Sequence, residues 1–346
     1  MTTPATATAP ADRSLWSAFL PLLPLIAAVF VAYFAMGMAL PVVPRHVHDA
    51  LGQGTLVVGV VMGAQYASAL FARMWAGEVS DGRGARLSAL CGLLGASCVG
   101  GVYLLSLAFV EHPRLSLAIL LAGRLLTGVA ESFIITAMLS WGMARVGTAH
   151  AGKVIGWVGM ALFAAYGAGA PVGVWLHGLH GFAGIAWATV LVPLAALAIV
   201  WRITAVPPGT GQRQPFYRVL GAVKLPGVAL TLGSVGYAMI TAFVTLLFAQ
   251  RGWASAALAF TSMGGGFIAA RLFFGHLPDL LGGARVALAC VLATAAGQLL
   301  IWAAPGALLA CAGAALTGGG YALAFQALGV EAVRRAPPES RGAAMG

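Results

Sequence analysis

The sequence predicts an all-α membrane protein, and three observations lead to this fold class. Of its 346 residues, 60% are hydrophobic and 8% are charged, whereas soluble domains carry about 25% charged residues. The mean hydropathy is +0.93. The apolar residues come in blocks of about 20, the length of helix that crosses a hydrocarbon core roughly 30 Å thick. Because backbone polar groups in lipid must be satisfied within the segment, each block is expected to be helical.

The apolar blocks predict ten spans in order along the chain. Residues 1–14 are polar and are expected to form a disordered cytoplasmic tail. The first block begins at Ser17 and is too long for the core of a signal peptide, so it is expected to remain as a span. The predicted spans are residues 17–42, 55–76, 87–110, 115–139, 154–176, 184–203, 225–249, 254–274, 286–304 and 306–330.

The basic residues predict how these spans are oriented. The net charge is +10, but Arg and Lys recur in short loops rather than in one patch, so no nucleic-acid partner is expected. Only Arg45, Arg114 and Arg251 fall on the side opposite to the main set. The positive-inside rule then places the main set and the N-terminus in the cytoplasm. An arginine-rich, asparagine-free composition favours a bacterial source, and hence the inner (plasma) membrane.

Neither a metal site nor a cofactor is predicted. No Cys-x-x-Cys pair exists, and His177 and His180 have no third ligand nearby in the sequence. The triple glycines 264–266 and 318–320 lie within predicted spans and follow no strand, so they are not phosphate-binding loops. The four cysteines all fall inside apolar blocks: Cys91, Cys98, Cys290 and Cys311.

An internal repeat divides the chain into two halves. The polar, Pro- and Gly-rich segment 204–224 is interpreted as a cytoplasmic linker between an N-terminal six-helix bundle, residues 15–203, and a C-terminal bundle, residues 225–346. Both repeats start on the cytoplasmic side, so they are parallel repeats. Arg73, Gly77, Asp81 and Gly84 recur 198 residues later as Arg271, Gly275, Asp279 and Gly282, and Leu126-Thr127-Gly128 recurs 190 residues later as Leu316-Thr317-Gly318.

The second half contains fewer predicted spans than the first. Four predicted spans precede Gly346, and Gly342 corresponds to Gly152, just before the fifth span of the first half. The sequence is therefore expected to be truncated to ten of twelve transmembrane helices. A natural ten-span protein is the alternative.

The segment between the second and third spans carries a motif of glycine, aspartate and arginine. It comprises Gly77, Asp81, Arg83, Gly84 and Arg86, and it resembles the signature loop of the major facilitator superfamily. Gly77 permits close helix approach, and Asp81 can stabilise a helix N-terminus. The resemblance implies a conformational latch. A solvated turn with orienting arginines is the alternative.

The second half repeats this latch motif without a basic residue directly after the aspartate, so the second copy is expected to be the weaker latch. Its residues are Gly275, Asp279 and Gly282.

Span four contains two charged residues. Arg124 precedes Gly128 by four residues, as in the superfamily's fourth-helix motif, and Glu131 follows Arg124 by seven residues. Seven residues are nearly two helical turns, so both project from one face. Intramembrane charges mark functional sites by default. Glu131 is therefore a candidate proton carrier and Arg124 a candidate substrate contact. A snorkelling arginine and a structural carboxylate are the alternatives.

Span five and the polar residues of other spans complete the predicted site. Gly169, Pro171 and Gly173 resemble the Gly- and Pro-rich fifth-helix motif, although Ala170 stands where glycine usually precedes the proline. A packing kink is the alternative. The candidates for lining a central cavity are Tyr33, Gln65, Tyr66, Tyr237, Thr241, Thr245, Tyr321 and Gln326.

The resemblance covers essentially residues 15–346 and is closest in pattern to bacterial sugar-efflux and drug-efflux members. It implies two six-helix bundles that alternate access to a midplane site, and a monomer that moves a small solute by proton-coupled export. The expected partners are the lipid bilayer, the solute and protons. Two other functions stay open: a non-transporting sensor or inactive remnant of this fold, and a membrane-embedded transferase. The transferase is less favoured because no cluster of acids or histidines is apparent.

Overall fold

The computed structural model describes residues 19–147, 150–207 and 216–335, and this part of the chain contains helices and no strand. The predicted tail at residues 1–14 and residues 208–215 of the predicted linker lie outside the described residues. Residues 216–224, which we predicted as linker, instead begin a helix. After a short 3₁₀ turn at Leu20–Leu22, the helices are α1 Leu23–Ala39, α2 Val42–Arg45, α3 Thr55–Gly82, α4 Ala85–Ala108, α5 Pro113–Val146, α6 Ala151–Arg202, α7 Phe216–Gly233, α8 Val235–Gln250, α9 Ala257–Phe274, α10 Leu277–Leu281, α11 Gly283–Ala303 and α12 Ala307–Arg335, with a π-helical turn at His46–Ala50 after α2.

Nine helical stretches of the described residues are long and apolar enough to cross a membrane. The prediction of ten differs because α6 contains two of the predicted spans in one stretch of 52 residues. A straight helix of that length would measure about 78 Å. Its backbone departs from helical geometry at Gly181, where φ is 60° and ψ is −156°.

The first latch motif is more helical than the sequence predicts. We expected a loop from Gly77 to Arg86, but α3 continues to Gly82, so only Arg83 and Gly84 separate it from α4. In the second copy, α9 ends at Phe274 and α10 begins at Leu277. Proline lacks the N–H that an uninterrupted helix requires. Pro278 stands where the first copy has Ser80, which accounts for the difference.

The two copies of the repeat make matching contacts. A Cβ added at Gly128 on α5 would collide with the Gln65 carbonyl oxygen on α3, and one added at Gly318 on α12 would collide with the Met263 carbonyl oxygen on α9. These pairs are related by the sequence displacements of 190 and 198. Gly84 and Gly282 also share a left-handed conformation, with φ of 97° and 87°. Glycine is needed at such positions because a Cβ is strained there.

Several buried threonines satisfy their hydroxyl groups within their own helix. Thr127 Oγ1 donates to the carbonyl oxygen of Gly123 over 2.9 Å, and Thr317 Oγ1 donates to that of Gly313 over the same distance. Thr189 and Thr294 make the same bond to the carbonyl four residues earlier, over 2.8 and 3.0 Å. These four hydroxyl donors therefore need no acceptor on another helix, although Thr317 Oγ1 also accepts a hydrogen bond from Gln298 on α11 over 3.1 Å.

Candidate functional site

Glu131 lies on α5 and accepts a hydrogen bond from Gln65 on α3. The Nε2 of Gln65 donates to the Oε2 of Glu131 over 2.6 Å, a short distance typical of a charge-assisted bond. Gln65 is 2% exposed, and its Oε1 atom has no hydrogen-bond partner in the described structure. The hydrogen bond to the carboxylate therefore fixes the orientation of the Gln65 amide, with its NH₂ group toward Glu131.

Five tyrosines surround this carboxylate closely enough to interact with it electrostatically. They come from five different helices, three before the predicted linker and two after it. The tyrosines are Tyr33 on α1, Tyr66 on α3, Tyr166 on α6, Tyr237 on α8 and Tyr321 on α12. We call them the tyrosine cluster.

Two contacts join the tyrosine cluster across the predicted halves. The hydroxyl of Tyr66 lies 3.3 Å from Thr241 Oγ1 on α8. The rings of Tyr66 and Tyr237 lie 6.3 Å apart in an edge-on arrangement. Tyr237 stacks on Tyr321 at 5.3 Å with an interplanar angle of 12°. The predicted residues Tyr33, Gln65, Tyr66, Tyr237, Thr241 and Tyr321 therefore come together in one region of the fold.

Phe163 on α6 connects this cluster to α9. Its ring stacks on Phe267 at 3.8 Å with an interplanar angle of 13°. It also lies 6.0 Å from Tyr166, 5.8 Å from Tyr237 and 6.1 Å from Tyr321. Aromatic pairs at such separations each contribute about 0.5–1.5 kcal/mol beyond area burial. Phe163 is thus the centre of an apolar contact between elements of the two predicted halves.

Arg124 is buried on α5, and it interacts electrostatically with Glu131 and with Tyr66 and Tyr166 of the tyrosine cluster. It is 2% exposed, and its Nε and Nη2 atoms have no hydrogen-bond partner in the described structure. Tyr103 on α4 interacts with the guanidinium, and both line a cavity of about 20 Å³, enough for about one water molecule. Thr127 and Thr189 also line this cavity. No ion pair within 4 Å joins Arg124 to Glu131 among the described residues.

The latch residues of the first copy lie where α3, α4 and α6 end or begin. Gly77 is buried, whereas Arg83 is exposed. The Nη2 of Arg86 donates to the carbonyl oxygen of Trp201 over 2.7 Å, and the guanidinium lies 5.1 Å from the Trp201 ring. Arg86 therefore connects the start of α4 to the end of α6, a contact that the motif alone does not predict.

The residues of the fifth-helix motif pack against α1. A Cβ added at Gly169 would meet the backbone of Phe34 and Gly37, and one added at Gly173 would meet that of Met38. Pro171 lies inside the helix. Two nearby helices approach this closely only where glycine removes the side chain. The glycines of the motif therefore pack closely against α1, and a further role of the motif in transport stays a prediction.

Some predicted site residues lie elsewhere, and some cluster residues were not predicted. Gln326 donates to the Gly275 carbonyl oxygen over 2.8 Å, so it contacts the second latch motif. Thr245 is buried, and its hydroxyl has no hydrogen-bond partner in the described structure. Asp279 belongs to the residues whose side chains are not described. Sequence reasoning missed Tyr103, Phe163, Tyr166 and Phe267. No group of His, Cys, Asp or Glu in the described part is placed to hold a metal ion.

Nine long apolar helical stretches of the described residues, one of them with Arg124 and Glu131 inside it, define a polytopic α-helical membrane protein. A family model described as Major Facilitator Superfamily matches residues 25–346. The chain therefore belongs to the major facilitator superfamily. The model match extends over nearly the whole chain, and so includes both copies of the latch motif.

Relatives and solved structures agree with this assignment. An uncharacterized MFS-type transporter of Pseudomonas aeruginosa is 42% identical over 335 residues, which cover 97% of this chain and 83% of the relative. One of Salmonella typhimurium is 41% identical over 320 residues, 92% of this chain and 82% of the relative. Among solved structures, the nucleoside transporter NupG has a TM-score of 0.68 at 15% identity, covering 94% of this chain and 85% of that chain. A bacterial homolog of the human lysosomal transporter Spinster has a TM-score of 0.66 at 15% identity, covering 96% and 78%. At these identities the structures establish the fold alone.

Proposed function

We propose that this chain is a secondary transporter that exports a small solute by alternating access, in exchange for protons. The observation that carries the proposal is the position of Glu131. It lies inside a membrane-spanning helix, is held by Gln65, and faces tyrosines from both predicted halves. A carboxylate between two bundles can take up a proton in one conformation and release it in the other. The surrounding rings offer flat apolar surfaces to a solute.

The proposal includes two bundles that reorient about this region. We infer that α6 crosses the membrane twice, with the turn near Gly181, which gives ten crossings and a cytoplasmic N-terminus in the inner membrane. The matching glycine contacts and threonine bonds support two parallel repeats, residues 15–203 and 225–346, joined by the linker 204–224. In such a fold the solute and the coupling ion bind near the midplane, between the repeats.

Glu131→Gln tests the coupling to protons. It should abolish accumulation driven by a pH gradient while leaving gradient-independent exchange, because the amide keeps the side chain's shape but carries no titratable proton. Glu111→Gln is the matched control, since Glu111 is exposed between α4 and α5. The measurement is solute uptake into everted vesicles from pH 5.5 to 8.5, using a panel of candidate solutes. If Glu131→Gln keeps wild-type accumulation and pH dependence, Glu131 is a structural carboxylate.

Asp81→Asn tests the proposed latch. It should reduce transport strongly and leave membrane insertion unchanged, because removing the charge biases one conformation rather than the fold. Asp279→Asn should have a smaller effect, since no basic residue follows it directly. Transport rate and the amount of protein in the membrane are measured for both variants. Equal and negligible losses would exclude a latch at these aspartates.

A further inference from the structure

A groove opens where α1 begins and where α5 and α6 end. It has a volume of about 560 Å³. Its walls carry two arginines and one threonine among apolar residues. The lining residues are Pro24, Arg145, Ala198, Ile199, Arg202, Ile203 and Thr204.

Arg145 is held in a fixed position in this groove. Its Nη1 donates to the carbonyl oxygen of Pro21 and its Nη2 to that of Thr204, both over 3.1 Å. The guanidinium lies 6.0 Å from the ring of Trp141, whose Nε1 donates to the same Thr204 carbonyl over 3.3 Å. A guanidinium has five N–H donors, so two bonds to neutral carbonyls leave donors available and do not cancel the charge.

Arg202 and Thr204 add further donors to the same groove. Both residues are exposed, and both lie at the end of α6. The ends of α5 and α6 carry partial negative charge, which favours arginines there. That preference explains their position at helix ends. It does not explain why both line one open groove beside a free hydroxyl.

Exposed apolar side chains lie next in the chain to the groove residues Pro24 and Arg202 or to Pro21, which binds Arg145. Leu20 is 63% exposed, Leu23 45% and Trp201 61%. Trp201 is fixed by Arg86, which bonds its carbonyl and lies 5.1 Å from its ring. Tryptophan is enriched at the level of lipid headgroups. The cationic groove therefore has exposed apolar residues close to it in the chain, which an acyl chain could contact.

We propose that this groove binds the phosphate headgroup of an anionic phospholipid. Arg145 and Arg202 contact the phosphate oxygens, Thr204 donates from its hydroxyl, and the acyl chains follow Leu20, Leu23 and Trp201. Basic pockets between transmembrane helices are suited to anionic headgroups. The site lies apart from the tyrosine cluster and does not depend on the transported solute or on proton coupling.

The test compares two arginine variants of the full chain in detergent micelles. Arg202→Gln removes one groove charge at an exposed position, and Arg114→Gln removes an exposed charge at the other end of α5 from Arg145. Thermal unfolding is followed as phosphatidylglycerol is added, with phosphatidylcholine as the neutral lipid. We expect phosphatidylglycerol to stabilise the wild type and Arg114→Gln at the same concentration. Arg202→Gln should need about fivefold more lipid for the same shift.

Four outcomes would overturn the proposal. The first is the same phosphatidylglycerol dependence in all three proteins. The second is equal stabilisation by phosphatidylcholine, which would show that charge is not recognised. The third is full stabilisation by inorganic phosphate alone, which would make the ligand a free anion. The fourth is a lower melting temperature of Arg202→Gln without lipid and an unchanged lipid dependence, which would mean that the arginine only caps α6.

Discussion

The two charged residues of α5 that lie within the predicted span, Arg124 and Glu131, have different hydrogen-bond partners. Glu131 accepts a hydrogen bond from Gln65, whereas two nitrogen atoms of Arg124 have no hydrogen-bond partner among the described residues, and Arg124 lines a cavity of about 20 Å³. A buried cation with incomplete hydrogen bonding is costly to the folded state. Its presence there favours a role in transport over a role in stability.

Replacing Arg124 by an apolar residue of similar length separates these roles. We expect Arg124→Met to fold with unchanged or higher thermal stability, because no ion pair within 4 Å offsets the cost of burying this charge among the described residues. Transport should fall by at least about tenfold, since intramembrane charges mark solute or ion paths. The measurements are the melting temperature and the solute flux.

Arg114→Met is the control for this variant, because Arg114 is exposed at the start of the same helix. Its flux and melting temperature should both remain near wild type. Misfolding of Arg124→Met would instead assign Arg124 a structural role.

At the residue scale, the sequence predicted Glu131, Gln65 and four of the five tyrosines of the cluster, but it missed other aromatic residues and misplaced Gln326. Glu131 and Gln65 stand out because they are polar in apolar spans, and the structure joins them. Phe163 and Tyr166 were missed because an aromatic residue in an apolar span does not reveal which helix it faces. Gln326 was predicted to line the cavity because it is a polar residue in an apolar span. Its amide has a local carbonyl partner, at Gly275, that only the folded chain brings close.

The packing of α3 on α5, and of α9 on α12, depends on glycine. At Gly128 and Gly318 an added methyl group would overlap a backbone oxygen, which cannot move as a flexible side chain can. Gly101 on α4 has no atom within 4 Å of an added Cβ. The same substitution should therefore have opposite effects at these positions.

Gly128→Ala should destabilise the protein by about 1–3 kcal/mol, the usual cost of overpacking. Gly101→Ala should stabilise it by up to about 1 kcal/mol, because alanine is the better helix former. Thermal unfolding in detergent compares both with the wild type. If Gly128→Ala is as stable as Gly101→Ala, the close approach of α3 and α5 is not required.

At the element scale, hydropathy predicts the helices but not their ends. It placed an apolar core for every long helix, because lipid requires one. It ended the second span at residue 76, whereas α3 continues to Gly82. Beyond the bilayer, water can satisfy the backbone, so hydropathy has no information about where a helix stops. In the second copy Pro278 does indicate where the helix stops, because its missing N–H cannot make the next helical hydrogen bond.

Contacts between α6 and α9 join the two proposed bundles. Phe163 stacks on Phe267, and Thr261 Oγ1 on α9 donates to the Gly167 carbonyl oxygen on α6 over 2.7 Å. A Cβ added at Gly264 would lie 2.6 Å from the Phe163 carbonyl oxygen. Alternating access requires that some contacts between the bundles be exchanged between states.

Thr261→Val should shift the balance of conformations away from the described state. Loss of one hydrogen bond changes a free energy by about 1 kcal/mol, or about fivefold in population. Thr231→Val is the control, because the Thr231 hydroxyl bonds the Gly227 carbonyl of its own helix. Spin-label distances between the exposed positions 111 and 254, in a cysteine-free background, report the populations. Equal shifts for both valine variants would show that the α6–α9 bond does not select the state.

The threonines that bond within their own helix bear on how easily such a molecule changes shape. Thr127, Thr189, Thr294 and Thr317 carry their acceptors with them when a helix moves. Sliding one helix past another then leaves these hydroxyl donors paired. Thr317 alone of the four would also lose a bond to another helix, the one it accepts from Gln298. Resistance to motion is concentrated in a few bonds between helices, such as those of Thr261 and Tyr66. Substitutions at these few positions should therefore change the rate of reorientation. Substitutions at the threonines that bond within their own helix should change it less.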